Sequence, residues 1–320
     1  MDVAVTKIDL PRPVRAAASD GTTVWCAGSD GVRAYAASGT PLDAPAGTRR
    51  PHPVGAGGGE ADRAENGGVR VPELRSLAAV PGTVSTGTAG VPGTLAGTVM
   101  VPRTFAGTPP VDSRPSGPMA GTVAGTAGDQ VYWLDPEGAP LASAPFEGRV
   151  LAGGGEIWAV GADLACRLAA PGSLAEPAEL PGLDLCAVEG ERLWWTSRRD
   201  TLLRGGPMEV DLGRRERGGM IVCAGSLWVS VAGGLLRVSA WSGEPGRFVS
   251  TPEGPVPFLV CANGVVVGAG RDLFVLAPAA GAPLRVVPLG LEAPPALVVA
   301  AGKHVWVFPA GRPQALIVPV

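Results

Sequence analysis

Histidine is nearly absent from this chain: His52 and His304 are the only two in 320 residues. A Ser-His-Asp nucleophile system or a histidine-ligated metal would need one of them beside suitable partners, and neither neighbourhood supplies any. No CxxC pair occurs among Cys26, Cys166, Cys186, Cys223 and Cys261, and their number is odd. That weakens both a thiolate zinc site and a disulfide framework. A P-loop is missing as well. No catalytic residue, metal or cofactor is therefore expected.

Positive charge is short too. The formal net charge is −3, so the basic footprint that neutralises nucleic-acid phosphates is lacking and no nucleic-acid partner is expected. Lysine contributes only Lys7 and Lys303. Such a skew to arginine, with abundant Ala, Gly and Pro, reads as the imprint of a GC-rich genome rather than selection for bidentate anion binding. No window approaches the roughly 18 apolar residues of a membrane helix. The opening MDVAVTKIDLPRP lacks a basic leader followed by an apolar run, so a cytoplasmic protein without membrane contact is expected.

What the chain does have is 48 glycines, 33 prolines and 46% hydrophobic residues with only 17% charged. Glycine and proline interrupt helices, so this mixture favours many short strands joined by tight turns. Length alone allows one large or two medium domains.

An internal repeat decides between them. Its unit is a short apolar strand, a Gly turn, a strand opening on an aliphatic-Trp pair, a turn often holding Asp, and two further strands. Copies begin near Ala16, Val150, Leu185, Val222, Val260 and Val298, and a degenerate one near Gly121 keeps only the later part. The anchors Trp158, Trp194, Trp228, Val267 and Trp306 fall 36, 34, 39 and 39 residues apart, the period of a four-stranded propeller blade. The last copy stops after three strands, while VAVTKIDL at residues 3–10 looks like a fourth strand. Pairing the two would close the ring and remove two open sheet edges. The expected fold is a single all-β domain, a seven-bladed β-propeller of four-stranded antiparallel blades, with eight blades as the alternative.

Between about residues 46 and 120 the repeat fades into a Gly/Pro/Thr-rich insertion. Within it LRSLAAV, residues 74–80, is expected to supply the first strand of the degenerate blade. The rest reads as a loop, with a partner-binding segment as the alternative.

Repetition also disposes of several candidate sites. Cys186, Cys223 and Cys261 recur 37 and 38 residues apart on first strands and are read as small apolar packing rather than a metal or redox ring. The tryptophans are expected to fill the wedges between blades rather than form a stacking platform. Asp30, Asp129, Asp163, Asp200 and Asp272 sit before third strands and read as turn residues. His304 is expected in an exposed turn.

One asymmetry is left over. Loops joining second to third strands, and fourth strands to the next blade, share a rim that carries Arg12, Arg15, Arg198, Arg199, Arg214, Arg215, Arg217, Arg271 and Arg312. The opposite rim carries Asp20, Asp135, Glu137, Glu156, Glu189, Glu191 and Glu244. Arg198, Arg199, Arg271 and Arg312 are the first choice for contacts with a protein partner or small molecule.

The elements GEIW, GERLW, GSLW and GKHVW, with third strands such as DQVYWLDPEG, resemble the bacterial propeller group of streptogramin lyases, NHL and YVTN repeats. The likeness covers most of the chain outside residues 46–120. It implies a propeller; the lyases in that group act with histidines and a glutamate near a metal, and no matching histidine pair exists here. The preferred expectation is a non-catalytic binding scaffold, with a lyase-like or other small-molecule enzyme as the alternative.

Overall fold

Each apolar run of the repeat becomes a strand, and the Gly-containing turns between them become hairpins. The computed structural model describes residues 4–29, 31–42, 74–79, 123–135, 140–213, 216–251, 255–277 and 285–320. Its strands form seven antiparallel sheets, and the first strands of successive sheets lie side by side in a closed circuit that brings the seventh back to the first. The fold is a seven-bladed β-propeller.

Blade 1 contains Ala16–Ser19, Thr23–Gly28 and Gly31–Ala36, with a bridge from Tyr35 to Pro41 beyond them. Blade 2 contains Ser76–Ala79, Val123–Ala127, Gln130–Leu134 and Pro140–Pro145, so the degenerate copy does take its first strand from within the interruption. Blade 3 runs Arg149–Gly153, Glu156–Val160, Leu164–Arg167 and Ala178–Glu179. Blade 4 runs Leu183–Glu189, Arg192–Ser197, Leu202–Gly205 and Met208–Asp211. Blade 5 runs Arg217–Cys223, Ser226–Val231, Gly234–Ser239 and Pro245–Ser250, and blade 6 Phe258–Ala262, Val265–Ala269, Asp272–Leu276 and Arg285–Pro288. Blade 7 takes Leu297–Ala301, His304–Phe308 and Gln314–Pro319 and is completed by the N-terminal strand Thr6–Asp9, which pairs with Gln314–Pro319. The closure expected from residues 3–10 is therefore present. The remainder of the interruption lies outside the described residues.

The core sits between blades. Along each second strand side chains alternate between the two neighbours, and the anchor position faces the next blade. Trp25, Trp194, Trp228 and Trp306 on these strands are buried, as is Trp133 on the third strand of blade 2, and Trp228 packs against Val256, Leu259, Val266 and Phe274 of blade 6. Trp306 likewise meets Val24, Cys26 and Tyr35 of blade 1. Gly205, paired opposite Trp194, leaves room for that indole, since a Cβ there would overlap the ring.

First strands approach so closely near the axis that some positions admit only glycine. A Cβ on Gly153 would overlap the Val188 carbonyl oxygen of blade 4, and one on Gly218 the Val256 carbonyl oxygen of blade 6. Side-chain hydroxyls bridge neighbours as well: Ser230 accepts from the Val256 amide at 2.8 Å, and Ser76 from the Val150 amide at 2.9 Å.

The cysteine expectation needs correction. Cys223 and Cys261 form a disulfide joining blades 5 and 6. Their spacing suggested equivalent positions, but register separates them. Cys223 ends its strand opposite Ser226, Cys261 pairs with Val266, and Cys186 pairs with Trp195. Counted from the residue opposite the anchor, Cys223 faces the next blade and Cys261 the previous one, so the two meet. Cys26, Cys166 and Cys186 are free and buried.

Candidate functional site

A cleft of about 940 Å³ opens on the rim formed by the first-to-second and third-to-fourth turns, over blades 3 to 5. Differences in turn length create it. In blade 4 the third and fourth strands are joined by Gly206 and Pro207 alone, while blade 3 uses residues 168–177 and blade 5 residues 240–244. The low hairpin of blade 4 forms the floor and its neighbours stand above it.

The walls are aromatic and charged. In the strand Arg192–Ser197, alternation sends Trp194 into the blade 4 to blade 5 wedge and Trp195 to the opposite face, where it lines the cleft. Arg204, paired with Trp195 across the hairpin, lies over its ring at 5.0 Å. That guanidinium donates two hydrogen bonds to Asp200, at 3.2 and 2.7 Å, and one to Glu209 at 3.1 Å. The hydrogen bond from Arg204 holds the Asp200 carboxyl below its ordinary range, and the pairing raises Arg204 in return. Trp158 closes the blade 3 side, its indole donating to the Gly190 carbonyl at 3.2 Å.

On the blade 5 side the turn after Gly234–Ser239 presents Trp241, which is 87% exposed. The turn is well made. Gly243, at φ 71°, donates to the Ser239 carbonyl at 2.9 Å, Ser242 donates to the Ser239 hydroxyl at 3.1 Å, and Arg192 donates to the Ala240 carbonyl at 2.7 Å. An apolar side chain of this size is thus held in solvent by a braced turn.

Carboxylates outnumber guanidiniums in the lining: Glu179, Glu189, Glu191 and Glu209 against Arg192 and Arg204. Glu191 is taken by Arg167 at 2.7 Å. Among the described residues Glu179 and Glu189 form no ion pair, but Glu189 accepts from the Trp194 indole at 3.4 Å and stands opposite Arg192 in the strand register.

The arginines chosen from sequence lie on the opposite rim. Arg198 is exposed and sits 3.6 Å from Asp184. Arg199, Arg271 and Arg312 are exposed and make no ion pair among the described residues. Blade 5 separates Arg198 and Arg199 of blade 4 from Arg271 of blade 6, so the four do not converge on one point. Arg217 is structural, donating to the carbonyls of Ser197 at 3.1 Å and Asp200 at 2.6 Å. Asp30, Glu137, Arg214 and Arg215 lie outside the described residues.

Of the turn aspartates, Asp200 caps its own turn, accepting from the Leu202 amide at 2.9 Å. Asp163 and Asp272 instead tie their turns to the segment that follows the fourth strand, accepting from the Gly182 amide at 2.6 Å and the Leu289 amide at 3.2 Å. His304 departs from expectation: it opens the strand His304–Phe308 and is half-buried, because its pairing with Ala301 and Pro319 draws it into the sheet. Burial first, and then Lys303, lower its pKa. No group of three or more His, Cys, Asp or Glu side chains placed to hold a metal occurs among the described residues. Trp195 and Trp241 escaped sequence reasoning, although both break the repeat: no other copy has an aromatic at either place.

No protein-family model matches the chain, and no curated protein does. Among solved structures it is similar to the WD40 β-propeller domain of Doa1, at a TM-score of 0.60 and 13% sequence identity over 99% of this chain and 95% of that one. At that identity the likeness concerns the fold. Among the described residues there is no helix long and apolar enough to cross a membrane.

Proposed function

We propose that this chain is a non-catalytic interaction scaffold, one propeller domain with a Gly/Pro/Thr-rich insertion, that docks a protein partner on the rim bearing Trp241. The observation that carries the reading is the 87% exposure of Trp241 on a braced turn at the mouth of a cleft. Exposed aromatics beside partly filled pockets are the usual anchors of protein interfaces. WD40-like propellers are commonly interaction scaffolds, which agrees with this reading by fold analogy alone. The narrower likeness to the streptogramin-lyase, NHL and YVTN group rests on GEIW, GERLW, GSLW and GKHVW. Its enzymatic branch is not favoured, since it would need paired histidines at a channel mouth and His304 is engaged in a strand.

The reading carries with it a cytoplasmic setting. Against that stands the Cys223–Cys261 bridge, because disulfides persist mainly in oxidising compartments.

A second surface is supported by Arg199, Arg271 and Arg312, exposed and without ion pairs among the described residues on the other rim. Spread with Arg198 over blades 4, 6 and 7, they suit an extended acidic partner.

Capture from an extract of the source cells tests the scaffold. Wild-type protein should retain one stoichiometric polypeptide, and Trp241→Ala should lose it. Equal recovery by both proteins would move docking away from Trp241, and recovery of nothing by either would overturn the scaffold.

A further inference from the structure

We infer that the cleft over blades 3 to 5 receives an extended, arginine-bearing segment of a protein partner. This rests on the scaffold reading above and names the chemistry of the same site. The first support is charge. The two guanidiniums of the lining are already engaged: Arg204 by Asp200 and Glu209, and Arg192 by the Ala240 carbonyl and the Trp194 ring at 5.6 Å. Glu179 forms no ion pair among the described residues, and Glu189 forms none while accepting from the Trp194 indole at 3.4 Å opposite Arg192, so the lining keeps a surplus of carboxylates that repels an acidic segment and not a basic one.

The second support is the chemistry that the cleft performs on itself. Arg204 lies over Trp195 while pairing with carboxylates, and Arg192 lies over Trp194. A planar guanidinium satisfies an indole face and a carboxylate at once, which a compact ammonium does less well. Trp241 and Glu179 line the same cleft and neither carries an internal cation among the described residues, so an incoming arginine-bearing segment finds an indole face and a carboxylate there. The exposed indole supplies the face and the cleft supplies room for the chain on either side.

Fluorescence anisotropy with the full chain and three labelled heptapeptides tests the inference: Gly-Arg-Gly-Arg-Gly-Arg-Gly and its lysine and glutamate counterparts. The arginine peptide should bind saturably and more tightly than the lysine peptide, with affinity falling as salt rises, and the glutamate peptide should not bind. Trp241→Ala and the pair Glu179→Gln, Glu189→Gln should each weaken arginine-peptide binding about fivefold. All three positions are at least partly solvent-exposed, so unchanged melting of the variants separates lost contact from lost fold. Equal binding of the glutamate peptide, no saturation by the arginine peptide, or full affinity in Trp241→Ala would overturn the inference. So would concentration-dependent self-association abolished by Trp241→Ala, which would make a second copy of the chain the occupant. If Trp241-dependent capture succeeds while the arginine peptide fails, only this inference falls; if the arginine peptide binds while capture fails, the scaffold reading falls and the cleft retains only its preference for arginine.

Discussion

The indole nitrogen of Trp306 donates a 2.9 Å hydrogen bond to the carbonyl of Ala37, 269 residues away in sequence. It ties the last blade to the first beside the strand pairing of Thr6–Asp9 with Gln314–Pro319. Ring closure therefore depends on a local strand and on a side chain, and each can be removed separately.

Deleting residues 1–9 would leave Gln314–Pro319 as an open edge, able to pair with another chain. A lower melting temperature together with increased light scattering is expected. A truncated protein that melts and scatters like the parent would show that closure lies elsewhere.

Trp228 is fully buried between blades 5 and 6. Trp228→Ala should cost about 3 to 5 kcal/mol of stability by the usual large-to-small penalty. Urea unfolding followed by circular dichroism measures it, and an unchanged midpoint would contradict the wedge role.

Thiol counting probes the cysteines. Burial pushes Cys26 up to about 12 and raises Cys166 and Cys186, and the remaining two are bonded to each other. Thiolates, not thiols, react with alkylating agents. Mass spectrometry after alkylation should show essentially no labels on native protein, labels on Cys26, Cys166 and Cys186 after unfolding, and all five labelled only when a reductant is added.

Ala224 occupies the left-handed region at φ 49°, at the place where blade 6 has Asn263 at φ 50° before Gly264. Non-glycine residues other than Asn and Asp pay about 1 kcal/mol or more there, and Asn-Gly suits such hairpins. Ala224→Asn should raise the unfolding free energy by roughly that amount, read from denaturant midpoints.

Acid should destabilise the fold in two stages. His304 and Asp200 both have folded pKa values below their ordinary 6.5 and 3.8, the first mainly through burial and the second mainly through the Arg204 hydrogen bond. In each case the unfolded chain takes up a proton at a pH where the folded chain does not, so stability is full above the ordinary value and declines as pH falls through it. Melting temperature should decline below about pH 6.5 and again below about pH 4. His304→Asn should flatten the first stage and Arg204→Met the second.

Blade number, closure and the Trp wedges were legible in the sequence because each recurs, and a recurring residue has a recurring structural cause. Cys223 and Cys261 were misread for a related reason. Their near-equal spacing concealed different strand registers, and facing direction flips with a shift of one residue. The cleft was not legible either. It arises from a height difference between neighbouring turns, and Trp241 appears once, so no periodicity points to it. The arginine rim was visible as composition, but composition does not reveal that blade 5 separates Arg199 from Arg271 or that Arg217 is spent on two carbonyls.

The short hairpin at Gly206 and Pro207 works as a depth gauge. It is exposed and lines the cleft at the lowest step between the longer turns of blades 3 and 5, just beyond the Gly205 that makes room for Trp194. Residues inserted between Gly206 and Pro207 would raise the floor and shut out a bulky guest while leaving Gly205 opposite Trp194. Capacity and stability in this molecule are thus governed by different stretches of chain, and one can be retuned while the other stays fixed.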